Sequence, residues 1–336
     1  MRPRPVIALV ATPKFKIAHK RDLQLFVCRH LYTLTSHFDV ISTGRTHGEI
    51  SDFLEKPDLW HQLENRSRIQ ESFDLRAPED LQSWRRSIHS HFIRKRNGIE
   101  GMIEIAHELV TGWLEAIIQL SVEDDTTVRA GSAVLRREAN VHDVPIASDL
   151  ATAQLFVQYW KNKLESNGGN AWSLFRKPKE VSSPCATLPA TGGEHVLALI
   201  AHDGQKHQMC RFVVEYQKKL LNFDHILATG HSGELAKQYL SAAGWSDEDV
   251  KRIMPCNSGP LGGDVEIANA VIQGRCKNVV FFQDPGISHP HAADIRLFEQ
   301  AVLTGTEVRL ASNAESARIL LEGNEPRLAE NKSSVV

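Results

Sequence analysis

The chain has few cysteines, no long apolar run and almost no net charge, and each shortage excludes something. Its five cysteines, Cys28, Cys185, Cys210, Cys256 and Cys276, are odd in number and form no C-x-x-C pair. Their spacing suggests neither a zinc knuckle nor a closed disulfide set, and reduced thiols in a cytoplasmic protein fit best. The longest apolar runs, such as Val6–Ala11 and 279–282, fall far short of the roughly 18 residues a membrane helix needs, so no membrane partner is expected. Lys and Arg number 39 against 41 Asp and Glu, a formal charge of −2, which gives no global attraction for nucleic acid or an anionic bilayer. Any anion site must be local. The first 21 residues lack acids and carry several Lys and Arg, as a transit peptide would, but Val6–Ala11 reads better as a buried strand.

What remains is a globular chain of 336 residues, 42% hydrophobic and 24% charged, long enough for about two domains. The two are copies of one unit. The stretch from Val6, VIALVATPKFKIAHKRDLQLFVCRHLYTLTSHFDVISTGRTHGEI, and that from Val196, VLALIAHDGQKHQMCRFVVEYQKKLLNFDHILATGHSGEL, share an order. Each runs from apolar strand through polar loop and amphipathic helix to a second strand, a Thr-Gly turn and a Gly-Glu pair. Glu104-Ile105-Ala106 later matches Glu266-Ile267-Ala268. Short Val/Ile/Leu runs alternating with helix-period segments predict an α/β fold, two tandem three-layer α/β/α sandwiches with mainly parallel sheets. Strands are expected in the second half at Val196–Ala201, 226–228, 253–254, 279–282 and 308–311. The stretch 166–194, with NGG, SSP and TGG, has linker composition, which puts the domains at 1–165 and 195–336. The small basic clusters Trp84-Arg85-Arg86 and Arg94-Lys95-Arg96 read as a solvated helix face or a subunit contact.

In such folds ligands bind at the carboxyl ends of the strands, and in the second half those ends are rich in reactive groups. They carry His202, Asp203 and Lys206; then Thr229-Gly230-His231-Ser232-Gly233; then Ser258-Gly259-Pro260-Leu261-Gly262-Gly263-Asp264; then Asp284, His289, His291 and Asp294. The Thr229 turn offers backbone N–H groups, hydroxyls and a helix start to a phosphate, although a plain helix cap needs the same residues. The glycine-rich segment lets backbone approach a ligand and holds Asp264 at a helix start, where capping is the competing role. Asp284, His291 and Asp294 suit proton transfer beside a carbonyl. His289 and His291 also fit an ordinary surface loop, and a metal site is disfavoured because no pair has H-E-x-x-H spacing.

Together Ala201-His202-Asp203-x-x-Lys206, Ala228-Thr229-Gly230, Ser258 to Asp264, Phe281-Phe282-Gln283-Asp284-Pro285 and Pro290-His291-x-x-Asp294-Ile295 resemble methylglyoxal synthase over about 196–323. The resemblance implies a lyase that converts dihydroxyacetone phosphate to methylglyoxal and phosphate, without metal or organic cofactor. It makes Asp264 the general base, His291 the group that polarises the carbonyl or shuttles a proton, and Asp284 and Asp294 their assistants. Lys206, Thr229, Ser232 and the Ser258-Gly259 backbone would hold the phosphate, and His202 and Asp203 would line the pocket; His231, which the family lacks, either donates to the phosphate as well or marks a larger or different ligand.

Two departures stand out. The family has two threonines after its Thr-Gly turn, where this chain has His231 and Ser232. The first half has Thr12-Pro13 in place of His202-Asp203 and Met102 in place of Asp264, and Glu123-Asp124-Asp125 without a Pro-His-x-x-Asp. It keeps Thr43-Gly44-Arg45-Thr46, so the first copy is expected to be inactive but able to bind an anion. The family forms symmetric oligomers, so a fused pair is expected to assemble as a trimer forming a pseudo-hexamer. The competing reading is a regulatory module that binds a phosphorylated small molecule or nucleotide without catalysis.

Overall fold

The computed structural model describes residues 4–55, 88–122, 129–175, 183–284, 292–304 and 307–323, and the chain divides into two compact units after Val181. The first contains β1 (Val6–Ala11), α1 (Pro13–Ala18), α2 (Lys20–His37), β2 (Asp39–Ser42), α3 (Gly44–Leu54) and β3 (Phe92–Arg94). It continues with α4 (Gly98–Val110), β4 (Ala116–Leu120), α5 (Arg129–Val141), β5 (Ile146–Ala147) and α6 (Leu150–Ser166). The second contains β6 (Val196–Ala201), α7 (Lys206–Glu215), α8 (Gln217–Leu220), β7 (His225–Ala228), α9 (Gly230–Ala242), α10 (Asp247–Val250) and β8 (Ile253–Pro255). After these come α11 (Gly263–Ile272), β9 (Asn278–Phe282), α12 (Ala292–Thr304), β10 (Arg309–Ala311) and α13 (Ala314–Gly323).

Each unit has one five-stranded sheet, in the orders β3-β2-β1-β4-β5 and β8-β7-β6-β9-β10. Every strand pairing is parallel. The two orders are the same, with the first strand of each unit in the centre. That position explains the unbroken apolar runs: all six residues of β1 and all six of β6 are buried, as a strand covered by helices on both faces requires. In the second unit Leu197, Leu199, Val280 and Phe282 meet Met209, Phe212 and Val213 of α7 and Leu240 of α9. The alternate residues Ala198, Ile200, Val279 and Phe281 are also buried and serve the opposite face. There α11 packs beside α12, and every residue of α11 is buried.

The five expected strands of the second half coincide with β6 to β10 within one residue at either end. Described parts of 166–194 are packed rather than bare: Ala171 belongs to the first core, while Ser183, Cys185 and Gly193 are buried in the second unit. Of the basic residues at 94–96, Lys95 is half-buried and pairs with Glu108 at 3.0 Å, while Arg94 and Arg96 are exposed, Arg96 lying 3.4 Å from Glu100. The cluster at 84–86 lies outside the described residues.

One buried acid gives the first unit a pH dependence. Glu115, immediately before β4 and 8% exposed, has its carboxyl pushed up from 4.5 to about 7 by burial. The folded state favours the neutral acid, so this contribution is complete below pH 4.5 and is lost as pH rises through about 7, at most about 3 kcal/mol. Glu115→Gln, which stays neutral, is expected to flatten that fall in urea unfolding curves taken from pH 4.5 to 8. An unchanged slope would place the loss elsewhere.

Candidate functional site

The carboxyl ends of β6, β7, β8 and β9 meet along one edge of the second sheet, and the residues following them form one cluster. After β7, Thr229 turns the chain into α9 with φ −65° and ψ 145°, an extended cap that leaves the first N–H groups of the helix pointing outward. Its hydroxyl donates to Ser232 Oγ at 3.2 Å, and both residues are buried. Gly230 sits close under the neighbouring loop: its N–H donates to Asn257 O at 3.0 Å, and an added Cβ would lie 3.2 Å from the amide nitrogen of Ser258. The β7 and β8 turns therefore touch backbone to backbone, with Thr229, Ser232 and Ser258 side by side.

After β8 the chain makes a short 3-10 turn, Gly259–Leu261, capped by Ser258, and passes through Gly262 at φ 92° into α11. Ser258 O accepts from Leu261 at 2.9 Å and from Gly263 at 3.0 Å. At Gly263 an added Cβ would collide with the carbonyl oxygen of Asn257. Asp264 follows in the first turn of α11 and is 3% exposed. An acid there is favoured by the helix dipole and the first-turn N–H groups.

Glu266 anchors this loop, a role that its place in the sequence does not mark. It is fully buried, and its Oε1 accepts the Asn257 N–H at 2.9 Å while its Oε2 accepts the Ser183 hydroxyl. Burial pushes its carboxyl above the usual range. The available signal was the repeated Glu-Ile-Ala: in the first unit Glu104 Oε2 likewise accepts the Arg96 N–H at 2.8 Å.

After β6, His202 is 8% exposed and its Nδ1 accepts the backbone N–H of Asp284 at 2.8 Å. Its ring stands edge-on to Phe281 with centroids 4.8 Å apart. The Asp284 carboxylate lies against Gly204, where an added Cβ would strike Oδ2. Lys206 pairs with Asp203 and donates to His231 Nδ1 at 2.8 Å. His231 and Asp203 are exposed, and Lys206 bridges them from the first turn of α7. The structure thus brings His202, Asp203 and Lys206 together with Asp284 and His231, and Thr229 and Ser232 with Ser258 and Gly259. His289 and His291 lie outside the described residues. Asp294 is placed in the first turn of α12.

The first unit repeats the scaffold with different chemistry. Gly44 donates to Arg96 O at 2.9 Å as Gly230 does to Asn257 O, and Thr43 donates to Thr46 at 3.1 Å as Thr229 does to Ser232. An added Cβ at Gly101 would collide with Arg96 O, as at Gly263. Lys16 is buried and paired with Glu49 at 3.2 Å. Met102, 3% exposed, stands where α11 has Asp264. Glu123-Asp124-Asp125 lies outside the described residues.

Among the described residues no helix is long and apolar enough to cross a membrane. No family model matches the chain. A methylglyoxal synthase of a Thermoanaerobacter species is 37% identical over 134 residues, 40% of this chain and 93% of that protein. One of Clostridium perfringens is 39% identical over 126 residues, 37% of this chain and 96% of its own. Of solved structures, the methylglyoxal synthase of Elizabethkingia anophelis aligns with a TM-score of 0.33 and 28% identity, covering 40% of this chain and 79% of that one. With nearly the whole length of these curated relatives matched at well over 30% identity, the chain belongs to the methylglyoxal synthase family.

Proposed function

We propose that the second unit converts dihydroxyacetone phosphate to methylglyoxal and phosphate. The observation that carries this reading is the burial of Asp264 at the head of a helix whose lead-in loop lies backbone to backbone on the Thr229 turn. A carboxylate short of water beside an anion cradle is placed to take a proton from a phosphorylated substrate.

The phosphate sits over the start of α9, with the Thr229 and Ser232 hydroxyls, the Ser258 and Gly259 backbone and the Lys206 ammonium around it, and His231 at the rim. Asp264 takes a proton from the carbon that bears the free hydroxyl, and the electron pair passes to the carbonyl oxygen as an enediolate. His291 polarises that carbonyl and moves a proton between the two oxygens, with Asp284 and Asp294 assisting. The C–O(P) bond, held out of the enediol plane, then breaks: its electrons leave with phosphate, and the enol tautomerises to methylglyoxal. His202 orients the Asp284 backbone, and Asp203 holds Lys206.

Lys206→Ala tests the cradle. Removing a charge-assisted hydrogen bond to phosphate is worth about 1.5–3 kcal/mol, so KM for dihydroxyacetone phosphate is expected to rise roughly 10- to 100-fold. An unchanged KM would remove Lys206 from the site.

For the first unit, Met102 favours binding without turnover, because a thioether cannot accept a proton from carbon. The repeated Gly44, Thr43, Glu104 and Gly101 contacts support a tandem duplication in which this copy kept its cradle and lost its base. Phosphate binding by a chain whose second-unit cradle is disabled tests this, and no residual binding would refute it.

A further inference from the structure

The second unit contains a second cluster of reactive side chains, on the side of the Asn257-Ser258 loop where Glu266 lies. Cys185 comes from the 3-10 turn Pro184–Thr187, Cys256 from the residue after β8, and Glu266 from α11. Cys185 is 71 positions from Cys256, yet one ligand atom from each of the three residues lies within 4.8 Å of the other two, and all three are buried. The Cys185 and Cys256 sulfurs are 3.6 Å apart. We propose that Cys185, Cys256 and Glu266 form a buried structural site for a thiophilic divalent cation of the zinc class.

The sulfur separation favours a shared ion over a covalent link. Two thiolates at about 2.3 Å from a tetrahedral ion stand roughly 3.8 Å apart, close to the observed spacing, whereas a disulfide closes to about 2.05 Å. The hydrogen bond to Cys185, together with burial, pushes the Cys256 thiol well above its ordinary range. Such a thiol is a poor nucleophile for disulfide exchange. A cation must displace its proton, so binding strengthens as pH rises.

Glu266 can serve both roles. A carboxylate has about four lone-pair sites, and its bonds from Asn257 and Ser183 use two of them. Cys276 is also fully buried, but its thiol donates to the carbonyls of Val196 and Asn278 and is not one of the three ligands. Two thiolates and a carboxylate match a borderline-soft ion and suit magnesium or calcium poorly. The ion is taken up as the unit folds, since none of its three ligands is exposed. It would tie the 183–187 segment to the residue immediately before the Asn257-Ser258 loop, independently of what reaction that loop serves.

The test is cobalt binding by the full chain, stripped of metal under reducing conditions. The expected result is a near-ultraviolet thiolate-to-cobalt absorption band that saturates at about one ion per chain, with zinc displacing the cobalt at the same stoichiometry. Cys185→Ser and Cys256→Ser should each abolish the band. Cys28→Ser and Cys210→Ser, which alter thiols outside the cluster, should retain it. Because a serine variant could lose the band by failing to fold, Glu266→Gln is added: it keeps the hydrogen-bond acceptor for Asn257, and with native circular dichroism it should bind cobalt at least tenfold more weakly. A folded wild-type chain that takes up no cobalt overturns the proposal, as does a band that survives in the Cys185→Ser/Cys256→Ser double variant. Neither result bears on methylglyoxal formation, which is measured separately.

Discussion

Asp264→Asn is expected to lower kcat for dihydroxyacetone phosphate by about two to four orders of magnitude, the usual worth of a positioned general base. The substitution is nearly isosteric, so the buried position at the head of α11 remains filled and the helix start keeps a side-chain oxygen. What disappears is the lone acceptor for a proton on carbon. Binding of inorganic phosphate, which depends on the Thr229 turn and Lys206, should stay within about threefold of wild type. That split separates a lost base from a lost fold. If the amide variant turns over at a near wild-type rate, Asp264 is a cap and the base lies elsewhere.

Gly263→Ala should be the most damaging single-methyl change in the second unit. The added carbon would run into the carbonyl oxygen of Asn257, which is fixed on one side by the Gly230 N–H and, through its own amide, by Glu266 on the other. Relief requires the loop to lift off α9. Overpacking of this kind costs about 1–3 kcal/mol, read as a lower urea midpoint, and the displaced Ser258 should raise KM tenfold or more. Gly101→Ala meets the same obstacle at Arg96 O and should destabilise the first unit by a similar amount while leaving KM unchanged. Equal losses of activity from both substitutions would contradict the assignment of turnover to the second unit.

Much of this architecture was legible because it depends on periodic burial. The two six-residue runs that became β1 and β6 are central parallel strands, and nothing but a continuous apolar sequence can occupy that place. The turns were legible where glycine is obligatory, as at Gly262 with its positive φ. Glu266 was hidden for a physical reason: an acid inside a wholly buried helix is unremarkable in a string of letters, and only its bond to Asn257 N reveals that it holds the loop. The Cys185–Cys256 proximity was hidden likewise, since spacing along the chain says nothing about two residues joined by folding across 71 positions. Segment 166–194 reads as linker from its Gly and Pro content, and the boundary between the units falls inside it; the few buried residues of its described parts, among them Ala171 and Cys185, are averaged away by composition. His231 was visible as a departure, but its partnership with Lys206 at 2.8 Å, across 25 positions, was not legible from spacing.

The most direct measurement is to incubate the full chain with dihydroxyacetone phosphate and follow methylglyoxal and inorganic phosphate in parallel, alongside Asp264→Asn. The expected result is that both products appear at equal rates with the wild type and that both nearly vanish with the variant. Absence of either product from a folded wild-type sample would contradict it and leave a binding protein for phosphorylated ligands.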